Sequence, residues 1–90
     1  MYEIIIQEKA ENDLRRIVEY IMDCLCEKNI ALKIYREISQ GIMSLETMPN
    51  RCPVIDLEPF KKNEIRRLII GNYSAFYFVN EEKATVHILH

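Results

Sequence analysis

The sequence predicts an α+β domain of two layers, in which a helical hairpin packs on an antiparallel sheet in the order βααβββ. Two observations lead to this fold class. Apolar residues recur every three or four positions through the first half of the chain, which is the period of amphipathic helices. In the last third, apolar runs are separated by short turn signals, which is the pattern of a strand meander. Ninety residues are the length of one domain, residues 1–90.

The first strand and the first helix follow directly from the N-terminus. Residues 2–7 contain three consecutive isoleucines and predict a short strand. The period then changes, and residues 8–26 carry a single apolar stripe at helical spacing. The residues of this stripe are Ala10, Leu14, Ile17, Val18, Ile21 and Leu25. We therefore expect helix 1 over residues 8–26.

A second helix is expected over residues 30–47, after a connector formed by Glu27, Lys28 and Asn29. Asn29 has the side chain of an N-cap residue, and Gly41 is a weak point inside the helix. The apolar stripe consists of Ala31, Ile34, Tyr35, Ile38, Ile42 and Leu45. Two helices joined by so few residues form an antiparallel hairpin.

Residues 49–63 contain all three prolines and show no regular period. Connections of this length are uncommon in small domains and are often functional, so this loop is a candidate partner contact. A structural alternative is a loop held against the core by Val54, Ile55, Leu57 and Phe60.

Three strands are expected in the remainder, over residues 64–70, 73–79 and 84–90. Gly71 and Asn72 form a two-residue signal suited to the primed hairpin turns. Residues 80–83 are polar and make the second turn. The three strands therefore form a meander against which the helical hairpin packs.

Composition excludes several classes of function. The net charge is −2 and the pI is about 5.7, which argues against strong, nonspecific binding to nucleic acid. No apolar run is long enough to span a membrane, and the N-terminus lacks the pattern of a secretory signal, so we expect a cytoplasmic protein. The cysteines are odd in number and poorly spaced, so neither a metal site nor a cofactor is expected.

Basic residues concentrate in the long loop and the strand that follows it. They are Arg51, Lys61, Lys62, Arg66 and Arg67. Because side chains alternate along a strand, one of the two adjacent arginines faces the helices and the other lies on the open face of the sheet. A cation fixed on a rigid strand suits an anion, such as a phosphate or a carboxylate of a partner. The structural alternative is a solvated strand entrance with no partner.

Four further side chains are candidates for chemistry. His87 and His90 are three residues apart on a strand and point to opposite faces, so they do not form a joint metal site, although either could act alone as a base. Tyr73 and Tyr77 share one face and could stack a base. Tyrosines in such positions are more often half-buried sheet residues with solvated hydroxyls.

Taken together, these segments resemble the RelE/ParE superfamily of toxins, the toxic halves of bacterial type II toxin–antitoxin pairs used in plasmid stabilisation. The likeness spans nearly the whole chain. The first helix begins with the pattern formed by Ala10, Asp13, Leu14 and Ile17, and the hairpin carries Arg66, Arg67, Tyr73 and Tyr77. The resemblance implies a single toxin domain that inhibits growth and is neutralised by a cognate antitoxin, with which it forms a hetero-oligomer.

The resemblance also implies two alternative targets. RelE-like members cut messenger RNA at the ribosome, whereas ParE-like members poison DNA gyrase. As an mRNA endoribonuclease the chain would use Arg67, Tyr77 and His90 as catalytic residues. With the resemblance, we expect Arg67 to face an anion, either an antitoxin carboxylate or a nucleic-acid phosphate, and Arg66 to be its solvated neighbour. The residues implied for binding a partner or nucleic acid are Arg51, Lys61, Lys62, Arg66, Arg67 and Tyr73. Neither activity implies a membrane partner.

Two departures from the nuclease pattern favour the ParE-like alternative. Ser74 stands where the nucleases commonly have arginine directly after the first hairpin tyrosine. The nucleases also place an arginine and a tyrosine or histidine after the last strand, in a segment that this chain, ending at His90, is expected to lack. Three alternatives stay open: a RelE-like nuclease, an inactive toxin that still binds its antitoxin, and an unrelated binding module that takes a partner strand on its open sheet edge.

Overall fold

A computed structural model describes residues 1–24, 28–58 and 61–90 of the chain. The elements follow the predicted order, βααβββ, and the predicted α+β fold class is confirmed. Two single-turn 3-10 helices, Ser44–Glu46 and Pro49–Arg51, follow the second α-helix. The helices and strands are β1 (Glu3–Ile6), α1 (Glu8–Cys24), α2 (Lys28–Met43), β2 (Arg66–Ile70), β3 (Tyr73–Asn80) and β4 (Thr85–Ile88).

The second helix differs from its prediction at both ends. It begins at Lys28, so Asn29 lies inside the first turn and the expected N-cap at Asn29 is wrong. It ends at Met43, and the Ser44 hydroxyl donates a hydrogen bond to the Gly41 carbonyl at 2.5 Å. That bond satisfies a carbonyl at the helix end, where the chain tightens into a 3-10 turn. The predicted end of α1 at residue 26 and the connector residue Glu27 lie outside the described residues.

The four strands form one sheet in the order β1-β4-β3-β2. Strands β2, β3 and β4 make the predicted antiparallel meander. Strand β1 pairs with β4 in parallel, with Glu3 opposite Thr85, so the sheet is mixed. The helical hairpin connects β1 to β2, which lie at opposite edges of the sheet, and the meander of β2 and β3 then brings β4 alongside β1. Gly71, at φ +59°, is the first residue of the β2–β3 turn, as the type II′ turn requires.

The core lies between the helical hairpin and one face of the sheet. Its largest fully buried side chains are Leu45, Tyr77, Val86 and Ile88. The other face of the sheet carries no helix among the described residues. This asymmetry determines which strand residues are available to a partner.

Gly41 marks the closest approach of α2 to the sheet. A Cβ atom at this position would lie 2.8 Å from Cδ1 and 2.9 Å from Cγ1 of Ile70. These distances are shorter than van der Waals contact, so a side chain at position 41 would force Ile70 to move. The glycine that looks like a weak point in the helical sequence is therefore used to pack the helix closely on β2.

The long loop is partly ordered by pairing with the start of β2. Val54 forms an isolated bridge with Arg66, and the Ile55 N–H donates to the Ile65 carbonyl at 2.9 Å. Leu57 is 68% exposed, so the expectation that it holds the loop to the core is wrong. Phe60 lies outside the described residues. No helix among the described residues is long and apolar enough to cross a membrane.

Candidate functional site

The two adjacent arginines of β2 lie on opposite faces of the sheet. Arg66 shares its face with Leu68, which is 8% exposed and packs in the core. Arg67 shares the other face with Ile69, which is 66% exposed. This arrangement follows from the period of two along a strand. The burial of Leu68 shows that the helices cover the face that carries Arg66.

Arg66 is half-buried and holds the long loop in place. Its Nη1 atom donates to the carbonyl of Asn50 at 3.3 Å and also to the carbonyl of Cys52. Hydrogen bonds from a charged donor are among the stronger ones in proteins. The expectation that Arg66 is the solvated neighbour is therefore wrong, because the 3-10 turn after α2 folds back against this end of β2.

Tyr77 lies directly opposite Arg66 in the strand register and is fully buried. Its hydroxyl donates to the Pro49 carbonyl at 2.7 Å. Burial, together with the neighbouring Cys52, raises the pKa of this hydroxyl far above its ordinary value. We therefore assign Tyr77 a structural role, in which it anchors the same loop that Arg66 holds. Tyr73, on the same face, is half-buried against the core.

Arg51 is also used inside the molecule. Its guanidinium donates to the Ser44 carbonyl at 3.2 Å and to the Ser44 hydroxyl at 2.6 Å. Ser44 follows the last residue of α2, where the partial negative charge of the helix favours a cation. Arg51 thus caps this helix end, and its side chain is exposed.

The two lysines of the candidate set, Lys61 and Lys62, are exposed. Lys61 makes an ion pair with Asp56, with an N···O distance of 3.4 Å. Lys62 is exposed, and its backbone N–H donates to the Glu58 carboxylate at 3.2 Å. Exposed pairs of this kind contribute little to stability. Both lysines are sterically accessible to an anionic partner.

Arg67 lies on the open face of the sheet. Its Nε atom donates to the Ser74 hydroxyl at 3.1 Å, and its partner in the strand register is Phe76. The ring of His90 lies against Phe76, with 5.2 Å between centroids. Arg67 and His90 thus both neighbour Phe76, but Tyr77 lies on the other face. The three residues implied for catalysis are not brought to one point.

His87 also has partners within the sheet. Its ring stacks on Phe78, with centroids 4.6 Å apart and planes 9° from parallel. Its Nε2 atom lies 3.0 Å from the Thr85 hydroxyl. Within the described ranges, no three His, Cys, Asp or Glu side chains lie close enough to share a metal ion.

An apolar groove runs between the two helices and reaches Ile6 of β1. It has a volume of about 520 Å³. Tyr35 and Met43, which line it, are 50% and 49% exposed. The expectation that Tyr35 belongs to the core-facing stripe of the second helix is therefore wrong. Its spacing of eight residues from Met43 is the signal that could have revealed a second, exposed stripe. Other apolar residues of the groove are Ile6, Leu14, Val18 and Ile42.

A carboxylate network joins the β3–β4 turn to the N-terminus and to the loop. Glu81 accepts hydrogen bonds from the Tyr2 hydroxyl at 2.6 Å and from the Asn50 amide at 2.9 Å. The bond from Tyr2, followed by that from Asn50, lowers the pKa of Glu81. Since Asn50 also receives the bond from Arg66, this turn helps to fix the loop.

The lowered pKa of Glu81 predicts a dependence of stability on pH. A carboxyl group whose pKa is lower in the folded state stabilises the fold above its unfolded pKa, and this contribution is lost as pH falls through the folded pKa. We expect Glu81→Gln to flatten the decline in melting temperature between about pH 5 and pH 3. Thermal unfolding at several pH values in this range measures the slope of melting temperature against pH. Glu82→Gln, in the same turn, is the control. Equal slopes for both variants and the wild type would contradict the prediction.

Comparison with known proteins identifies the family. The family model described as ParE toxin of type II toxin-antitoxin system, parDE, matches residues 4–90. A solved structure, the chromosomal ParDE TA system from P. aeruginosa, superposes with a TM-score of 0.79 at 21% identity, over 100% of this chain and 92% of that chain. No curated protein matches the chain. With nearly the whole sequence matched and the fold shared, the chain belongs to the ParE toxin family within the RelE/ParE superfamily.

Proposed function

We propose that this protein is a toxin directed against DNA gyrase and neutralised by a cognate antitoxin that forms a complex with it. The family match over residues 4–90 supports the toxin assignment. The similar solved structure is of a ParDE system, which supports a protein antitoxin as the partner. The choice of gyrase over messenger RNA rests on the arrangement of the candidate side chains.

The candidate side chains do not converge on one point, and this argues against a nuclease. Cleaving RNA needs preorganised groups within hydrogen-bond distance of one phosphate, and losing one such contact typically costs about 10²–10³ in rate. In this chain Arg51 and Arg66 donate to groups of their own chain. Tyr77 is buried, and Arg67 lies on the other side of the sheet. A toxin that acts by binding gyrase does not need these groups to converge.

The interhelical groove is the surface that best fits the antitoxin. It is mainly apolar and exposes Tyr35 and Met43, and its rim carries Glu11, Arg15 and Glu19. An apolar groove with a charged rim suits an amphipathic segment whose apolar residues repeat at helical spacing. Covering it would bury side chains that a monomer leaves in water.

The function is tested by inducing the chain in a bacterial host and by adding the purified protein to gyrase. We expect growth arrest that is relieved by the product of the adjacent open reading frame, together with loss of supercoiling activity by gyrase. Primer extension on cellular messenger RNA is the parallel measurement, and it should show no new cleavage ends.

Each other outcome identifies one of the alternatives. New cleavage ends at codons, with supercoiling unchanged, would contradict the gyrase proposal and indicate a ribosome-dependent nuclease. Normal growth, with the adjacent gene product still bound, would indicate an inactive member that only binds its antitoxin. As a matched control, Tyr35→Asp in the groove should leave gyrase inhibition unchanged and weaken binding of the antitoxin.

A further inference from the structure

The interhelical groove continues beyond the part that Tyr35 and Met43 line. Met22 lies four residues after Val18 on α1, and Leu32 lies three residues before Tyr35 on α2, so both extend the groove toward the C-terminal end of α1. Their side chains are 40% and 47% exposed. From Leu32 to Met43 the exposed stripe covers about 17 Å of helix, at a rise of roughly 1.5 Å per residue. A partner helix of about three turns matches this length.

The rim of the groove carries three charged residues of α1, in the order Glu11, Arg15 and Glu19. They are four residues apart and exposed, so they form one charged row beside the apolar floor. Neither glutamate makes an ion pair with a described residue. The Arg15 guanidinium donates to the side chain of Asn12, which is neutral. The charges of the rim are therefore not neutralised by ion pairs with described residues of the chain.

This charge order favours a different protein over a second copy of the chain. If two copies met groove to groove with Arg15 at the centre, Arg15 would face Arg15 and each glutamate would face a glutamate. The same holds for parallel and antiparallel α1 helices, because the order of the charges reads the same in both directions. Like charges opposite each other cost free energy and suppress the wrong partner. The complementary partner carries basic, acidic and basic residues at the same spacing.

We infer that the groove recognises an antitoxin helix by a row of basic, acidic and basic residues, four positions apart, beside its apolar stripe. The acidic residue pairs with Arg15, and the two basic residues pair with Glu11 and Glu19. The apolar stripe of the same helix covers the groove from Leu32 to Met43. The inference rests on the proposed function, in which the groove binds the antitoxin, and it adds the charge pattern that selects the cognate antitoxin from others.

The test measures binding of labelled peptides to the full-length chain by fluorescence anisotropy. The probe is the capped peptide Ser-Ala-Leu-Lys-Gln-Ala-Leu-Glu-Gln-Leu-Ala-Lys-Gln-Leu-Ala-Gln, which has a leucine stripe and the row lysine, glutamate, lysine. A comparison peptide exchanges the glutamate with the second lysine, which keeps the composition and the net charge. Because an isolated helix of this length is marginally stable in water, we expect a Kd of about 50 μM for the probe. The comparison peptide should bind at least about fivefold more weakly.

Reversing the rim should reverse the preference of the chain. The wild type should bind the probe at least about tenfold more tightly than a peptide in which every lysine and glutamate is exchanged. The triple variant Glu11→Lys, Arg15→Glu, Glu19→Lys should prefer the exchanged peptide by a similar factor. Glu37→Lys is the control, since Glu37 is exposed on α2, does not line the groove, and gives the same change in net charge. If the triple variant fails to fold, Arg15→Glu alone should bind a peptide with three lysines in the row more tightly than the probe.

Two exposed aliphatic residues of α2 test the extent of the groove. Leu32 and Ile30 are both 47% exposed, but they lie about 200° apart around the helix. Leu32→Ser should weaken binding of the probe at least about fivefold, because it removes an apolar contact at the end of the stripe. Ile30→Ser should bind the probe within about twofold of the wild type.

Expression in a bacterial host separates the inference from the proposed function. The triple variant should still arrest growth, and the adjacent gene product should no longer relieve the arrest. If the wild type arrests growth and is relieved, but shows no preference among the peptides, the inference alone is overturned. A preference for the probe without growth arrest or gyrase inhibition would support the charge pattern and contradict the proposed function.

Three further outcomes would overturn the inference. The first is equal binding of the probe and the comparison peptide by the wild type, which would mean that the order of the charges is not read. The second is a triple variant that keeps the preference of the wild type. The third is a concentration-dependent dimer of the chain that disappears in Leu32→Ser, which would assign the groove to a second copy.

Discussion

Replacing Tyr77 with alanine is expected to lower the free energy of unfolding by about 3–5 kcal/mol, the range measured for large aromatic residues in cores. Tyr77 is the bulkiest of the fully buried side chains. The whole domain is stabilised by roughly 5–15 kcal/mol, so the variant should lose a large part of its stability. Urea unfolding followed by circular dichroism measures the change.

The phenylalanine variant separates packing from the hydroxyl. Tyr77→Phe keeps the ring and leaves the Pro49 carbonyl without its donor, which should cost about 1–3 kcal/mol. Under the structural role assigned to Tyr77, any loss of growth arrest should follow the amount of folded protein. A Tyr77→Phe variant of wild-type stability that no longer arrests growth would instead show that the hydroxyl takes part in the activity.

The elements of the fold were predictable because they depend on local periods. The stripe from Ala10 to Ile21 and the Gly71 turn are visible in short windows of sequence. The position of β1 was not predictable in this way. Its pairing of Glu3 with Thr85 joins residues at opposite ends of the chain, and the isoleucine run of β1 specifies a strand without specifying its neighbour.

The candidate site was harder to predict because its residues are defined by distant contacts. Alternation along β2 showed that the two arginines diverge, but not which one the helices cover. That depends on the 3-10 turn Pro49–Arg51, because the carbonyls of Pro49 and Asn50 accept hydrogen bonds from Tyr77 and Arg66. A proline-containing loop has no periodicity from which this contact could be inferred. The basic residues that are close together in the sequence therefore have different roles in the structure: Arg51 and Arg66 bond to their own chain, whereas Arg67, Lys61 and Lys62 are exposed.

This separation predicts opposite results for two neighbouring substitutions. Arg66→Ala should destabilise the fold by about 1.5–3 kcal/mol, because it removes charged hydrogen bonds to the Asn50 and Cys52 carbonyls. Arg67→Ala should change stability by no more than about 0.5 kcal/mol, since its side chain lies on the open face and its described hydrogen bond is with Ser74. Thermal and urea unfolding of the two variants measure the difference.

For function we expect the opposite order: at equal amounts of folded protein, substitutions of Arg67 should matter more than substitutions of Arg66. Arg67→Glu reverses a charge on the open face, and we expect it to weaken growth arrest or antitoxin binding about tenfold, because reversed charges at an interface repel the original partner. Arg66→Lys keeps the charge but not the planar guanidinium, so it should lose stability while any folded fraction keeps its activity. If Arg67→Glu arrests growth and binds the antitoxin as the wild type does, Arg67 lies outside both interfaces, and Lys61 and Lys62 are the next cations of the candidate set to test.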